Sequence, residues 1–194
     1  MSGPARAPRR SARAHDAVLA AAVALLEEGG LAHATVDAIS TRSGVSKATI
    51  YKHWPNRTAV AAEAFGRRMA GAAALPDTGS ARGDLTEQVR RTSEFLASGA
   101  GRVFGQLLAA TVGDPGAAAY LRDHFLTGRR AASAELWGRA MARGEVRESV
   151  DAETATDLLL GPLVYRLVGG HAPLTGTDAD AVADAALNGL LATP

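Results

Sequence analysis

Eight side chains between residues 35 and 57 carry the chain's candidate chemistry: Thr35, Ser46, Lys47, Thr49, Tyr51, Lys52, His53 and Arg57. All can donate hydrogen bonds, and Lys47, Lys52 and Arg57 are permanent cations. Hydroxyls and cations in this density suit a partner rich in acceptor oxygens and negative charge. They do not make a catalytic constellation. The five histidines are scattered, with no H-E-x-x-H or H-x-x-x-H spacing. The glycine clusters lack the lysine–serine pair of a phosphate loop. Neither a metal nor a cofactor is expected, and the chain does not read as an enzyme.

Two short helices must position these donors. In residues 35–54, Thr35 is a good N-cap and Ile39 gives the first helix an inward residue. Ser43-Gly44 ends it, because glycine takes the left-handed position at little cost. Val45 tucks back as a core anchor, and Ser46 caps a second helix, Lys47 to His53. At 100° per residue, Lys52 lies about 160° from the inward Ile50. Ala48, Thr49 and Tyr51 also face outward, while Lys47 and His53 flank the buried stripe. Helix, glycine turn, helix is the spacing of a helix-turn-helix, and this face suits a DNA major groove about 12 Å wide. An ordinary solvated helix face is the competing reading of the same spacing.

The run G-V-S-K-A-T-I-Y-K-H-W-P-N-R, Gly44 to Arg57, resembles the DNA-binding domain of the TetR family of bacterial repressors. The family pattern there is G-V-s-x-x-t-l-Y-x-H/y-F-x-s-K. The preceding A-I-S-T-R-S is similar to its I-A-x-x-A helix, with Ser40 where alanine is usual. The resemblance runs from about Ala14 to Phe65. A weaker likeness, Leu158 to Arg166, is to the dimerising helix of one branch. Arg57 stands for the usual lysine, Thr58 for a frequent acid, and Trp54-Pro55 for phenylalanine and a polar residue.

Composition agrees with a nucleic-acid partner at one end only. Residues 1–68 hold ten Lys and Arg against five Asp and Glu, a net of +5; residues 69–194 hold eleven against fifteen, a net of −4. A basic third beside an acidic remainder fits one DNA-binding end. The only two lysines, Lys47 and Lys52, both fall in the reading helix. Hydrophobic residues make up 47%, enough for a core. Neither a membrane span nor a secretory leader is read, and the absence of cysteine fits a cytoplasmic protein.

In chain order, residues 1–10 are expected to be a disordered arm. Helix 1 is predicted from Ser11 to Glu28, with Val18, Ala21, Ala22, Leu25 and Leu26 as its inward face and Gly29-Gly30 as its stop. His15 and His33 read as surface residues. A helix capped by Asn56 runs to about Gly71, and Ala74 to Gly83 is a linker. Further helices are read over Asp84–Ser98, Gly101–Val112, Pro115 to near Gly144, Asp151–Val168 and Asp178–Leu191. The whole is all-α, with about nine helices. Residues 11–71 form the DNA-binding domain and 84–192 a C-terminal domain.

The helix holding Leu158 to Val168 is apolar nearly all round, so more than its own core must cover it. Pro162 must kink it or free a carbonyl. Leu159, Leu163 and Leu167, with Leu187 and Leu190 on the last helix, are the expected four-helix interface of a homodimer. The resemblance implies an effector cavity in the C-terminal domain, with Phe95, Phe104, Leu108, Tyr120, Phe125 and Trp137 as candidate lining. Each of these alone reads as core. It also implies a ligand-responsive homodimeric repressor on a pseudo-palindromic operator, with Tyr51, Arg57 and Thr35 on phosphates and Lys47, Thr49 and Lys52 nearest base edges. The alternative is an architectural or partner-recruiting DNA-binding protein without an inducer.

Overall fold

The computed structural model describes residues 7–70 and 74–190, without the side chains of residues 7–10 and Leu190. The described residues form α1 (Ala7–His33), α2 (Val36–Ser43), α3 (Lys47–His53), α4 (Arg57–Arg68), α5 (Ala81–Ala97), α6 (Gly99–Thr111), α7 (Pro115–Leu121), α8 (Thr127–Ala142), α9 (Ala152–Gly169) and α10 (Gly176–Leu190). A π-turn, Arg122–Leu126, joins α7 to α8. The sequence read this stretch as one helix, and counted so there are nine. A π-turn continues the helical hydrogen bonding, and Arg122–Leu126 holds no glycine or proline to mark a break in the sequence.

The chain divides into two compact units, and not linearly. One holds residues up to 71 together with 106–125; the other holds 72–105 and 126 onward. Two of the three divisions fall inside α6 and inside the π-turn.

In the first unit, Val18, Ala21, Ala22, Leu25 and Leu26 are buried as the helical spacing predicts. α1 begins at Ala7, inside the stretch expected to be disordered; residues 1–6 lie outside the described residues. Gly29 and Gly30 have non-helical backbone, Gly30 at φ +68°, and interrupt α1 where the sequence placed its stop; a short second helical piece follows across the kink. The amide of Leu31 beyond the kink donates to Gln106 Oε1 at 2.8 Å. α4 packs against α1 and α7 and is buried from Thr58 to Gly66. Asn56 explains part of that fit. Its Oδ1 accepts from Ala59 N at 2.9 Å, and its Nδ2 donates to Asp114, whose other oxygen caps α7 at Ala117 N. Gly66 lets the π-turn lie on α4, since a Cβ there would come within 2.4 Å of the His124 carbonyl oxygen.

In the second unit, α5 packs against α8, α9 and α10. The buried Asp84 organises the stretch before α5. It accepts from Thr78 N at 2.6 Å, Thr78 Oγ1 at 2.9 Å and Arg143 Nη2 at 3.0 Å. Burial alone would raise its pKa; the bonds from Thr78 and Arg143 outweigh that and hold it below the usual carboxylate range. α9 runs through Pro162 as one helix, so the Leu158 carbonyl lacks its usual intrahelical donor. No helix of the described residues is long and apolar enough to cross a membrane.

The proposed dimer stripe needs correction. Leu159, Leu163 and Leu187 are 4%, 0% and 0% exposed inside their own unit, so they have almost no surface left for a second copy. Leu167 is half-buried, and Leu190 lies outside the described side chains. The large apolar side chains that α9 leaves in solvent are Leu158, Tyr165 and Val168, 50%, 70% and 56% exposed. Periodicity finds the stripe of a helix that is apolar all round but cannot say which side its own core takes.

Candidate nucleic-acid interface

The two helices of the motif are built by their caps. Thr35 Oγ1 accepts from Ala38 N at 3.1 Å and opens α2. Gly44, at φ +69°, closes it, and its N–H returns to the Ser40 carbonyl at 3.0 Å. Ser40 stands where the resemblance has alanine. Its hydroxyl donates to the Val45 carbonyl at 2.8 Å and ties the turn to α2. Val45 is only half-buried, a weaker anchor than expected. Ser46 then caps α3, accepting from Thr49 N at 3.3 Å and sharing a hydrogen with Thr49 Oγ1 at 2.9 Å.

Ile50 and Ile39 are fully buried, which fixes the rotation of α3. Burying each contributes ~1.5–3 kcal/mol. Tyr51, Lys52 and His53 are consequently exposed, Tyr51 by 55%. Lys47 and Ala48 are exposed and Thr49 is half-buried. Arg57 is exposed at the start of α4, with Nη1 3.4 Å from the Leu31 carbonyl. The Thr35 hydroxyl is half-buried and already used as a cap. The structure therefore groups Lys47, Tyr51, Lys52 and His53 on the exposed surface of one seven-residue helix.

The far end of α3 is held by groups that the sequence reading missed. Trp54, 1% exposed, closes α3 and donates its indole N–H to Glu63 Oε2 at 2.7 Å. His15, expected on the surface, stacks on Trp54 with ring centroids 4.7 Å apart and places Nε2 3.3 Å from Glu63 Oε1. His124 Nε2 and Arg67 Nε are each 3.9 Å from the same carboxylate. Tyr120 Oη donates to the His53 carbonyl at 3.1 Å. A buried tryptophan needs a partner for its N–H, and that requirement was the available signal. Asp37 was also missed. It forms a direct ion pair with Lys47, and this hydrogen bond and charge raise the ammonium above the usual lysine range.

The six cavity candidates divide between the two units. Leu108, Tyr120 and Phe125 belong to the first unit, where Phe125 packs edge-on against Phe65 at 5.0 Å. Phe95, Phe104 and Trp137 belong to the second, with Phe95 and Phe104 6.2 Å apart. The cleft of the second unit is lined by Leu85, Gln88, Ser133, Leu136, Trp137, Ala155, Thr156, Leu159 and Leu160. Only Trp137 is shared with the expected lining. The cleft measures about 270 Å³ with its open mouth. Its walls are mostly apolar, and the Ser133 and Thr156 hydroxyls donate to carbonyls of their own helix.

Residues 18–64 match the family model for bacterial regulatory proteins of the tetR family, and residues 75–186 match that for the tetracyclin repressor-like C-terminal domain. The chain is 39% identical over 154 residues to the uncharacterised HTH-type transcriptional regulator YdeS of Bacillus subtilis, covering 79% of this chain and 78% of that one. It is similar to the crystal structure of the TetR family transcription regulator SCO0332, with 31% identity, a TM-score of 0.77, and coverage of 93% and 99%. The flavonoid-responsive regulator FrrA shares the fold, with 23% identity, a TM-score of 0.64, and coverage of 94% and 100%.

Proposed function

We propose that this chain, which belongs to the TetR family of bacterial regulatory proteins, is a ligand-responsive homodimeric repressor acting in the cytoplasm. It is a DNA-binding transcriptional regulator of a non-enzymatic family. The observation that carries the finer reading is the rotation of α3: Ile50 is buried, and Tyr51, Lys52 and His53 are left in solvent. In this reading Tyr51 and Arg57 contact phosphates and Lys47 and Lys52 lie nearest base edges. The half-used hydroxyls of Thr35, Ser46 and Thr49 add contacts at the margins. Two copies joined through the exposed side of α9 present two such helices to half-sites roughly 34–36 Å apart.

The effector in this reading is small and mostly apolar, because the cleft beside Trp137 is walled mainly by leucine and alanine. It regulates only by binding one conformation better than the other. The enclosed part of the cleft has room for about one water, so an effector must widen it. This observation favours the second reading, a DNA-binding architectural protein without an inducer.

The test begins with a duplex recovered from a random pool by the wild-type chain. Two chains per duplex and a palindromic consensus support the dimeric reading; one chain per duplex overturns it. A screen of small apolar compounds on that complex separates the two readings. Release of DNA by a compound that also quenches Trp137 fluorescence supports the repressor, with Trp137→Phe as the control for quenching of Trp54. Binding insensitive to every compound supports the architectural reading.

A further inference from the structure

We propose that Asp37 is a positioning residue that turns Lys47 from a phosphate contact into a reader of base edges. This rests on the reading of α3 as the element that enters the groove. Asp37 is the second residue of α2 and Lys47 the first of α3, and they pair directly across the turn. Their side chains are 74% and 56% exposed, so the pair lies at the surface that DNA would meet. Among the described residues, Lys47 is the one cation of the proposed reading face with an acidic partner; Lys52 and Arg57 have none. Other pairs of the first unit, such as Arg42–Glu28, Arg67–Asp16 and Arg68–Glu27, do not involve α3.

The position of the pair gives it a meaning beyond stability. Side chains at the start of a reading helix are those that meet base edges. A free lysine there would bind any phosphate, because its ammonium is a point charge on a flexible stem. Pairing with Asp37 cancels that charge toward the backbone, so sequence-blind DNA gains little counterion release from Lys47. The pair does not use up the ammonium. A lysine has three donors, and Asp37 need occupy only one. The others, held in one place, suit the neutral N7 and O6 acceptors of guanine, which the nearby carboxylate repels far less than it repels a phosphate. An ammonium keeps all three donors at neutral pH, and the hydrogen bond and charge of Asp37 only favour that state further.

The experiment titrates two duplexes by fluorescence anisotropy across a range of NaCl. One duplex has a scrambled sequence; the other is recovered from a random pool by the wild-type chain. The variants are Asp37→Asn, Lys47→Ala and the double substitution. Asp37→Asn is expected to tighten scrambled-duplex binding by about fivefold to tenfold near 0.1 M salt, and to steepen the salt slope by about 1. Binding to the selected duplex stays level or weakens. In the Lys47→Ala background, Asp37→Asn changes either duplex by less than about twofold, the level of a distant charge. Equal tightening on both duplexes, or an undiminished effect without Lys47, overturns the proposal as a bare charge effect. If Lys47→Ala alone leaves the selected duplex untouched, the reading face itself is wrong, and the proposal falls with it by a separate measurement. Asp37 also lies in the first turn of α2, where an acid is favourable. Helicity and melting are therefore recorded for each variant, and Asp37→Ser repeats the test by a second route.

Discussion

Trp54 and Glu63 form a buried donor–acceptor pair at 2.7 Å, joining the end of α3 to the middle of α4. Neither residue has water to fall back on. Trp54→Phe keeps the ring but leaves one Glu63 oxygen without its donor, which costs ~1–3 kcal/mol. We expect the melting temperature to fall by several degrees in calorimetry. An unchanged melting temperature would show that His15 and Arg67 satisfy the carboxylate without the indole.

Lys52→Ala and Tyr51→Ala should each weaken DNA binding while leaving helicity and melting unchanged, since both side chains project from the exposed face of α3. They should differ in salt dependence. Losing Lys52 lowers the slope by about 1, whereas losing the uncharged Tyr51 leaves it alone. Wild-type affinity in both variants would remove this face from the DNA complex.

Gly44→Val should destabilise the first unit through the backbone and not through crowding. Gly44 has φ +69°, yet nothing lies within 4 Å of where a Cβ would sit. The cost is therefore that of left-handed strain at a β-branched residue, ~1–3 kcal/mol. Gly44→Asn should cost visibly less, because asparagine tolerates this region. Chemical denaturation of both variants measures the difference, and equal losses would mean that the strain is not the cause.

Substitutions on opposite sides of α9 should separate folding from assembly. Leu163→Glu buries a charge without a partner and should cost several kcal/mol, giving unfolded or aggregated protein. Tyr165→Glu changes a side chain in solvent and should give folded monomers that no longer bind the selected duplex. Light scattering with circular dichroism distinguishes these outcomes. A dimeric Tyr165→Glu protein would place the interface elsewhere.

Asp84 should make the second unit sensitive to acid. Its carboxyl is held below the ordinary value of 3.8 in the folded chain. The contribution is then fully present above the unfolded value and is lost as pH falls through the folded one. Asp84→Asn should be less stable than wild type at pH 7, and that difference should shrink as pH drops below about 4. A difference independent of pH would assign the effect to shape and not to charge.

The caps were legible because each is local. Thr35, Ser46 and Asn56 accept from amides three residues on, and Gly44 needs nothing beyond its own φ. The rotation of α3 was legible from Ile50, since one inward residue orients a seven-residue helix. What sequence could not supply was the partner of each long-range group. The indole of Trp54, the ring of His15 and the carboxylate of Glu63 are separated by up to 48 residues and meet only in the fold. The lining of the cleft was not legible for the same reason: aromatic residues at helical spacing say that a helix has an inside, not which helices share it. Leu163 and Tyr165 lie two positions apart on a helix that is apolar throughout, and only packing decides which of them sees solvent.

The division of the chain inside α6 and the π-turn has a consequence for modularity. The DNA-reading unit is not a cassette. A swap that moves the first 70 residues onto another regulator carries the reading helix but leaves behind residues 106–125. Those twenty residues hold Gln106 for the kink of α1, Asp114 for the cap of α4, Tyr120 for the end of α3 and Phe125 for Phe65. A chimera that preserves recognition must exchange two separate stretches of gene, and an evolving lineage that recombines at the end of α4 must rebuild those contacts in its new partner.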